Sequence, residues 1–132
     1  YCPPAIADVL NRVRSPFNVS AAAQAAGVAA VEDVEALNRA RAHNARWLPW
    51  FSEQLAELGL PLTPSVANFV LARFPDDPLK NADSACAFLE SRGILTRKMA
   101  AYGLPQHLRI TIGTGPEMET VAAALAEFMG AR

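Results

Sequence analysis

Cysteine is scarce in this 132-residue chain, occurring only as Cys2 and Cys86. Two cysteines so far apart make neither a spaced metal motif nor a disulfide framework; they read as small, buried, reduced residues of a cytoplasmic protein. His43 and His107 have no companions at ligand spacing, so no metal site is expected. No apolar run approaches the roughly 18–20 residues of a membrane-spanning helix, and no signal-peptide pattern heads the chain. A net charge of −1 removes the general electrostatic case for nucleic acid. Lysine occurs only at Lys80 and Lys98, so most of the positive charge is carried by arginine.

The most informative shortage is local. Residues 91–116 hold Arg92, Arg97, Lys98 and Arg109 but no Asp or Glu, although acids and bases nearly balance over the whole chain. Arg97 and Arg109 lie in or at the end of apolar, β-branched runs that read as strands. A guanidinium there is costly to desolvate unless an anion meets it, and its planar fork suits carboxylate or phosphate. On these grounds an anion-binding site on a small sheet competes evenly with two snorkelling surface arginines.

What is abundant is apolar: 52% of residues, enough for one domain's core or for a subunit interface. Pro3 and Pro4 suit a first helical turn. Ile6, Val9, Leu10 and Val13 then form a stripe that should end near Arg14, before Pro16. An alanine-rich helix from Ala21 to about Ala30 suits close packing against a neighbour, in this chain or another. A long helix is expected from about Glu32 to Leu58, kinked at Pro49, with Trp47 and Trp50 packing beside the kink.

From residue 65 the pattern changes. A strand over Val66–Arg73, a helix over Leu79–Arg92 capped by Gly93, and strands over Ile94–Lys98 and His107–Ile112 are predicted. Thr114, Pro116 and Glu117 read as a capping box opening a last helix that ends at Gly130. The fold class is α+β: a helical arm over residues 1–62, then a two-layer lobe over 63–132 with a mainly antiparallel sheet. Strand alternation puts Leu108, Ile110 and Ile112 in the core and Arg109 and Thr111 on the opposite face, with Arg97 closing the neighbouring strand. Glu53 and Glu57 read as a solvated helix face, Arg12 and Arg14 as surface residues.

Three pieces of the key segment also carry a resemblance: Gly93-Ile94-Leu95-Thr96-Arg97, Tyr102-Gly103-Leu104-Pro105, and Leu108-Arg109-Ile110-Thr111-Ile112-Gly113-Thr114. Two more lie upstream, from Asn11 to Ser20 and from Pro64 to Leu71. In order and spacing they are similar to the C-terminal part of histidinol-phosphate aminotransferases and close relatives, the fold-type I enzymes that use pyridoxal 5'-phosphate. The resemblance covers essentially the whole chain. Neither lysine sits in the serine- and glycine-rich context of the family's Schiff-base lysine, and Tyr1 matches a residue just after the family's Leu-Arg-x-Gly run. The resemblance therefore implies a fragment, inactive alone, whose catalytic large domain lies upstream, so that no catalytic or cofactor-binding residue falls in this chain.

For the residues present, the resemblance implies that Arg109 holds the substrate α-carboxylate and Arg97 meets the distal anion. It places Asn68 in the first strand of the small domain, facing the site or pairing with backbone. It places Asn18, with Phe17 and Ser20, in a loop near the subunit interface of a homodimer formed through the helical arm. The implied substrates are small anions, and the implied reaction moves an amino group between glutamate and imidazole acetol phosphate. An aromatic amino acid aminotransferase, or the phosphothreonine decarboxylase of corrinoid synthesis, is the alternative within the family. A free-standing, non-catalytic anion-binding module is the alternative outside it.

Overall fold

A computed structural model describes residues 2–130; Tyr1, whose match is noted above, lies outside them. The chain divides into two compact units, one ending at Asn38 and one beginning at Arg39. The first unit contains α1 (Pro4–Val13) and α2 (Ala21–Glu32). Pro4 opens α1, where a missing N–H costs nothing, and Ser20 caps α2 by accepting from Ala23 N at 3.2 Å. The apolar stripe of α1 is exposed throughout, and α2 buries none of its residues. Cys2, expected to be buried, is only half-buried.

Helix α3 (Val34–Glu57) runs continuously through Pro49. Its second half belongs to the other unit, where Phe51 and Leu55 are fully buried. That unit continues with β1 (Leu62–Thr63), β2 (Phe69–Arg73), α4 (Ala82–Glu90), β3 (Arg97–Lys98), a short 3₁₀ turn (Ala100–Tyr102), β4 (His107–Thr111) and α5 (Gly115–Met129). The four strands form one antiparallel sheet in the order β1-β2-β4-β3. Val70, Ala72, Leu108 and Ile110 on its inner face share one core with Ala85 and Leu89 of α4 and Met118 and Leu125 of α5.

Several element boundaries differ from the sequence expectation, each for a local reason. Strand β2 starts at Phe69 rather than Val66, because Ser65 closes a turn: its Oγ accepts from Ala67 N and donates to Phe69 O. Helix α4 starts at Ala82 rather than Leu79, because Asn81 accepts from Ser84 N at 2.9 Å and sets the cap there. The expected strand from Ile94 shrinks to Arg97–Lys98, since Ile94 N still bonds Leu89 O as part of the helix exit. Strand β1, between Pro61 and Pro64, was not expected at all. The capping box of α5 forms: the Glu117 carboxylate accepts from Thr114 N at 2.7 Å and from the Thr114 hydroxyl at 2.8 Å. Those bonds hold the Glu117 carboxyl below its usual pKa.

The link from β4 to α5 and the bend before β2 are both pinned against α3. His43 Nε2 lies 2.7 Å from Gly113 O, and Asn44 Nδ2 donates to Ala67 O at 3.2 Å. The Trp47 ring, in edge contact with Trp50 at 5.2 Å between centroids, covers Gly115 so closely that a Cβ there would stand 2.4 Å from the indole. Gly115→Ala should therefore cost about 1–3 kcal/mol, the usual range for overpacking. Urea unfolding followed by tryptophan emission would measure it; a neutral result would mean that Trp47 moves aside freely.

Candidate functional site

The outer face of the sheet carries the candidate site. In the antiparallel register Thr63 faces Leu71, Leu71 faces Arg109, and Arg109 faces Arg97. Paired residues of adjacent strands project on the same side, so the two arginines are direct neighbours across β4 and β3. One turn of the pleat away, Phe69 faces Thr111, and on the other side Arg73 faces His107. Like charges placed directly opposite destabilise a sheet. Here each guanidinium rests against its own aromatic ring, which offsets part of that cost. Arg109 Cζ lies 4.4 Å over the Phe69 ring, and Arg97 Cζ lies 5.4 Å from the Tyr102 ring, with Nη2 donating to the Tyr102 hydroxyl at 2.8 Å.

Neither guanidinium meets an acid among the described residues. The other cations of this stretch do: Arg92 pairs with Glu127, and Lys98 with Asp83 at 2.7 Å. What sets Arg97 and Arg109 apart from other arginines without an acid partner among the described residues, such as Arg46 over the Trp47 ring, is their pairing in register on one sheet face. An outer sheet face with two uncompensated guanidinia presents donor forks whose geometry suits carboxylate or phosphate oxygens.

The remaining candidates lie elsewhere. Asn68 sits in the bend before β2, exposed, with its carbonyl accepting from Ile112 N at 2.8 Å. Its side chain lines a shallow cleft of about 350 Å³ with Arg41 and Asn44. Asn18 is exposed in the first unit and accepts from Arg14 Nη1 at 2.8 Å. A cavity of about 460 Å³ beside the start of α5 is lined by Arg92, Ile94, Thr111 and Glu117, and neither Arg97 nor Arg109 borders it. Its charged groups are already satisfied by Glu127 and Thr114, so it offers an anion nothing. Phe69 and Tyr102 were missed as site residues. Tyr102 lies in the Tyr102-Gly103-Leu104-Pro105 piece, where nothing local marks it as a partner of Arg97, and Phe69 joins the site only once the β2–β4 register is known.

Residues 1–126 match the family model for class I and II aminotransferases, and the chain belongs to that family. It is 58% identical over 131 residues to a histidinol-phosphate aminotransferase of Paramagnetospirillum magneticum, covering 99% of this chain and 36% of that protein. It is 56% identical over 129 residues to one of Rhodospirillum centenum, covering 98% and 35%. The chain thus spans about a third of the length of the curated relatives it matches. A putative aminotransferase of Burkholderia pseudomallei superposes with a TM-score of 0.84 at 29% identity, over 96% of this chain and 38% of that one. The histidinol-phosphate aminotransferase of Clostridium acetobutylicum shares the fold, with a TM-score of 0.85 at 20% identity over 97% and 39%.

The cofactor implied by the family does not fit the lysines of this chain. Lys80 Nζ donates to Met129 O at 2.8 Å, which anchors it to the end of α5. The Lys98 ammonium is held protonated by its hydrogen bond to Asp83, which raises its pKa, whereas a Schiff base needs the free amine. No step through the cofactor is therefore assigned to these residues.

Proposed function

We propose that this chain supplies the substrate-anion receptor of a histidinol-phosphate aminotransferase. The observation that carries the reading is the direct pairing of Arg97 with Arg109 across β3 and β4, without an acidic partner for either among the described residues. Arg109 takes a substrate carboxylate in a bidentate fork, and Arg97 takes the anion at the far end: the phosphate of histidinol phosphate or the side-chain carboxylate of glutamate. Histidinol phosphate has no α-carboxylate, so Arg109 matters most when glutamate is bound and Arg97 matters for both partners. Fixing a small molecule at both ends is catalysis by positioning.

In this reading residues 1–62 form an arm that joins two subunits, residues 63–132 form the small domain, and Asn18 stands near the interface. Pyridoxal 5'-phosphate is held by residues outside this chain, in a cytoplasmic homodimer, and the chain alone is inactive. Asn68 serves the bend that starts β2.

The test is Arg97→Ala in the complete, cofactor-loaded enzyme. The specificity constant for histidinol phosphate should fall about ten- to hundredfold, the range for truncating one side of a partly solvated charge pair. Phenylalanine, which has no distal anion, should lose far less. Equal losses with both substrates would remove Arg97 from the distal site and favour an aromatic amino acid aminotransferase.

A further inference from the structure

Tyr102 presents a hydroxyl that nothing among the described residues uses fully. It ends the 3₁₀ turn between β3 and β4, is 60% exposed, and contributes little to the core. Its oxygen accepts from Arg97 Nη2, and its ring stands beside the same guanidinium. A phenol has one O–H donor besides its acceptor positions. Among the described residues nothing accepts that O–H. Arg97 spends one of its five donors on Tyr102 and none on another described side chain. What faces solvent is therefore a cluster of donors, a guanidinium fork flanked by an O–H, on an acid-free stretch of surface. A hydroxyl that already accepts from a cation is polarised toward donating.

The turn that carries Tyr102 is held by its own backbone. Tyr102 N and Leu104 N both donate to Met99 O, at 2.9 and 3.2 Å, and Met99 N donates to His107 O. Gly103 at φ 76° takes the left-handed conformation that closes the turn and that a side chain would oppose. Main-chain geometry thus brings Tyr102 next to Arg97, and the hydrogen bond and ring contact between the two side chains set the hydroxyl beside the guanidinium.

The chemistry of the donor set discriminates between anions. A carboxylate offers two coplanar oxygens, which the guanidinium fork satisfies by itself. A phosphate monoester offers three terminal oxygens in a tetrahedral array, so a third donor beside the fork is needed to meet them. We propose that Tyr102 is a specificity-determining residue: its hydroxyl donates to the third oxygen of a distal phosphate bound at Arg97, and so favours phosphate esters over carboxylates there. This rests on the reading that Arg97 meets the distal anion.

The experiment compares Tyr102→Phe, Arg97→Ala and the double variant in the complete, cofactor-loaded enzyme, with histidinol phosphate and glutamate as substrates and inorganic phosphate as a competitive inhibitor. Phenylalanine at 102 keeps the ring beside Arg97 and removes only the hydroxyl. The KM for histidinol phosphate, relative to that for glutamate, should rise about tenfold in Tyr102→Phe, the worth of one hydrogen bond to a charged group. Inhibition by inorganic phosphate should weaken by a similar factor, with the loss in KM rather than kcat. In the Arg97→Ala background the same change should add less than twofold, because the two donors serve one oxygen array. Equal losses for glutamate and histidinol phosphate, or no loss while Arg97→Ala keeps its phosphate-selective defect, would overturn the role of Tyr102 and leave that of Arg97 standing. An unselective Arg97→Ala would overturn both.

Discussion

Arg109→Ala in the complete enzyme is expected to lower the specificity constant for glutamate by about 2–4 kcal/mol, roughly thirty- to a thousandfold. The argument starts from the strand. Leu108 and Ile110 are buried on either side of Arg109, so β4 cannot turn without exposing them, and the guanidinium has no choice of face. It is half-buried and flanked in register by Leu71 and Arg97. The Phe69 ring beneath it supplies attraction but no hydrogen-bond acceptor, so its donors remain for a ligand. Arg109→Lys should recover only part of the loss, because an ammonium keeps the charge but not the bidentate fork. The Arg109→Ala loss should fall mainly on the glutamate half of the cycle, since histidinol phosphate lacks the carboxylate. A loss below about tenfold would take Arg109 out of the site.

Phe51→Ala is expected to destabilise the second unit by about 3–5 kcal/mol, the range for deleting a fully buried aromatic side chain. Phe51 comes from α3, yet it is fully buried and belongs to the same core as Leu89, Leu108 and Leu125. Its removal would leave a void that the surrounding side chains fill only in part. For a unit of this size, each kcal/mol moves Tm by about 4–8 °C, so the variant should be unfolded or nearly so at temperatures the parent survives. Urea unfolding followed by Trp47 and Trp50 emission would read the loss directly. A change under about 1 kcal/mol would mean that the second half of α3 packs on the sheet without contributing to its stability.

Much of this architecture was legible in local signals. The start of α5 was readable because the Glu117 carboxylate accepts from Thr114 N–H and hydroxyl while Pro116 has no N–H to satisfy, whatever surrounds them. The inward face of β4 was readable because alternation along a strand is a property of its backbone. The start of β2 was misread because the Ser65 hydroxyl diverts an apolar stretch into a turn. The strand expected from Ile94 was too long because a helix exit and a β-branched strand look alike over so short a stretch. Strand β1 was hidden because two residues between prolines carry no period.

The sequence by itself determined which residues could form helices and strands, which side of β4 would be apolar, and which acid-free stretch carries Arg97 and Arg109. These follow from bonds and periods within a few residues. Only the tertiary structure decided that Arg97 and Arg109 stand face to face, that Phe69 and Tyr102 brace them, and that α3 closes on Gly113 and Gly115 through His43 and Trp47. The eleven positions between the arginines admit many registers. The selection comes from the turn at Met99–Leu104 and from burial of Leu108 and Ile110, which couple residues across the sheet.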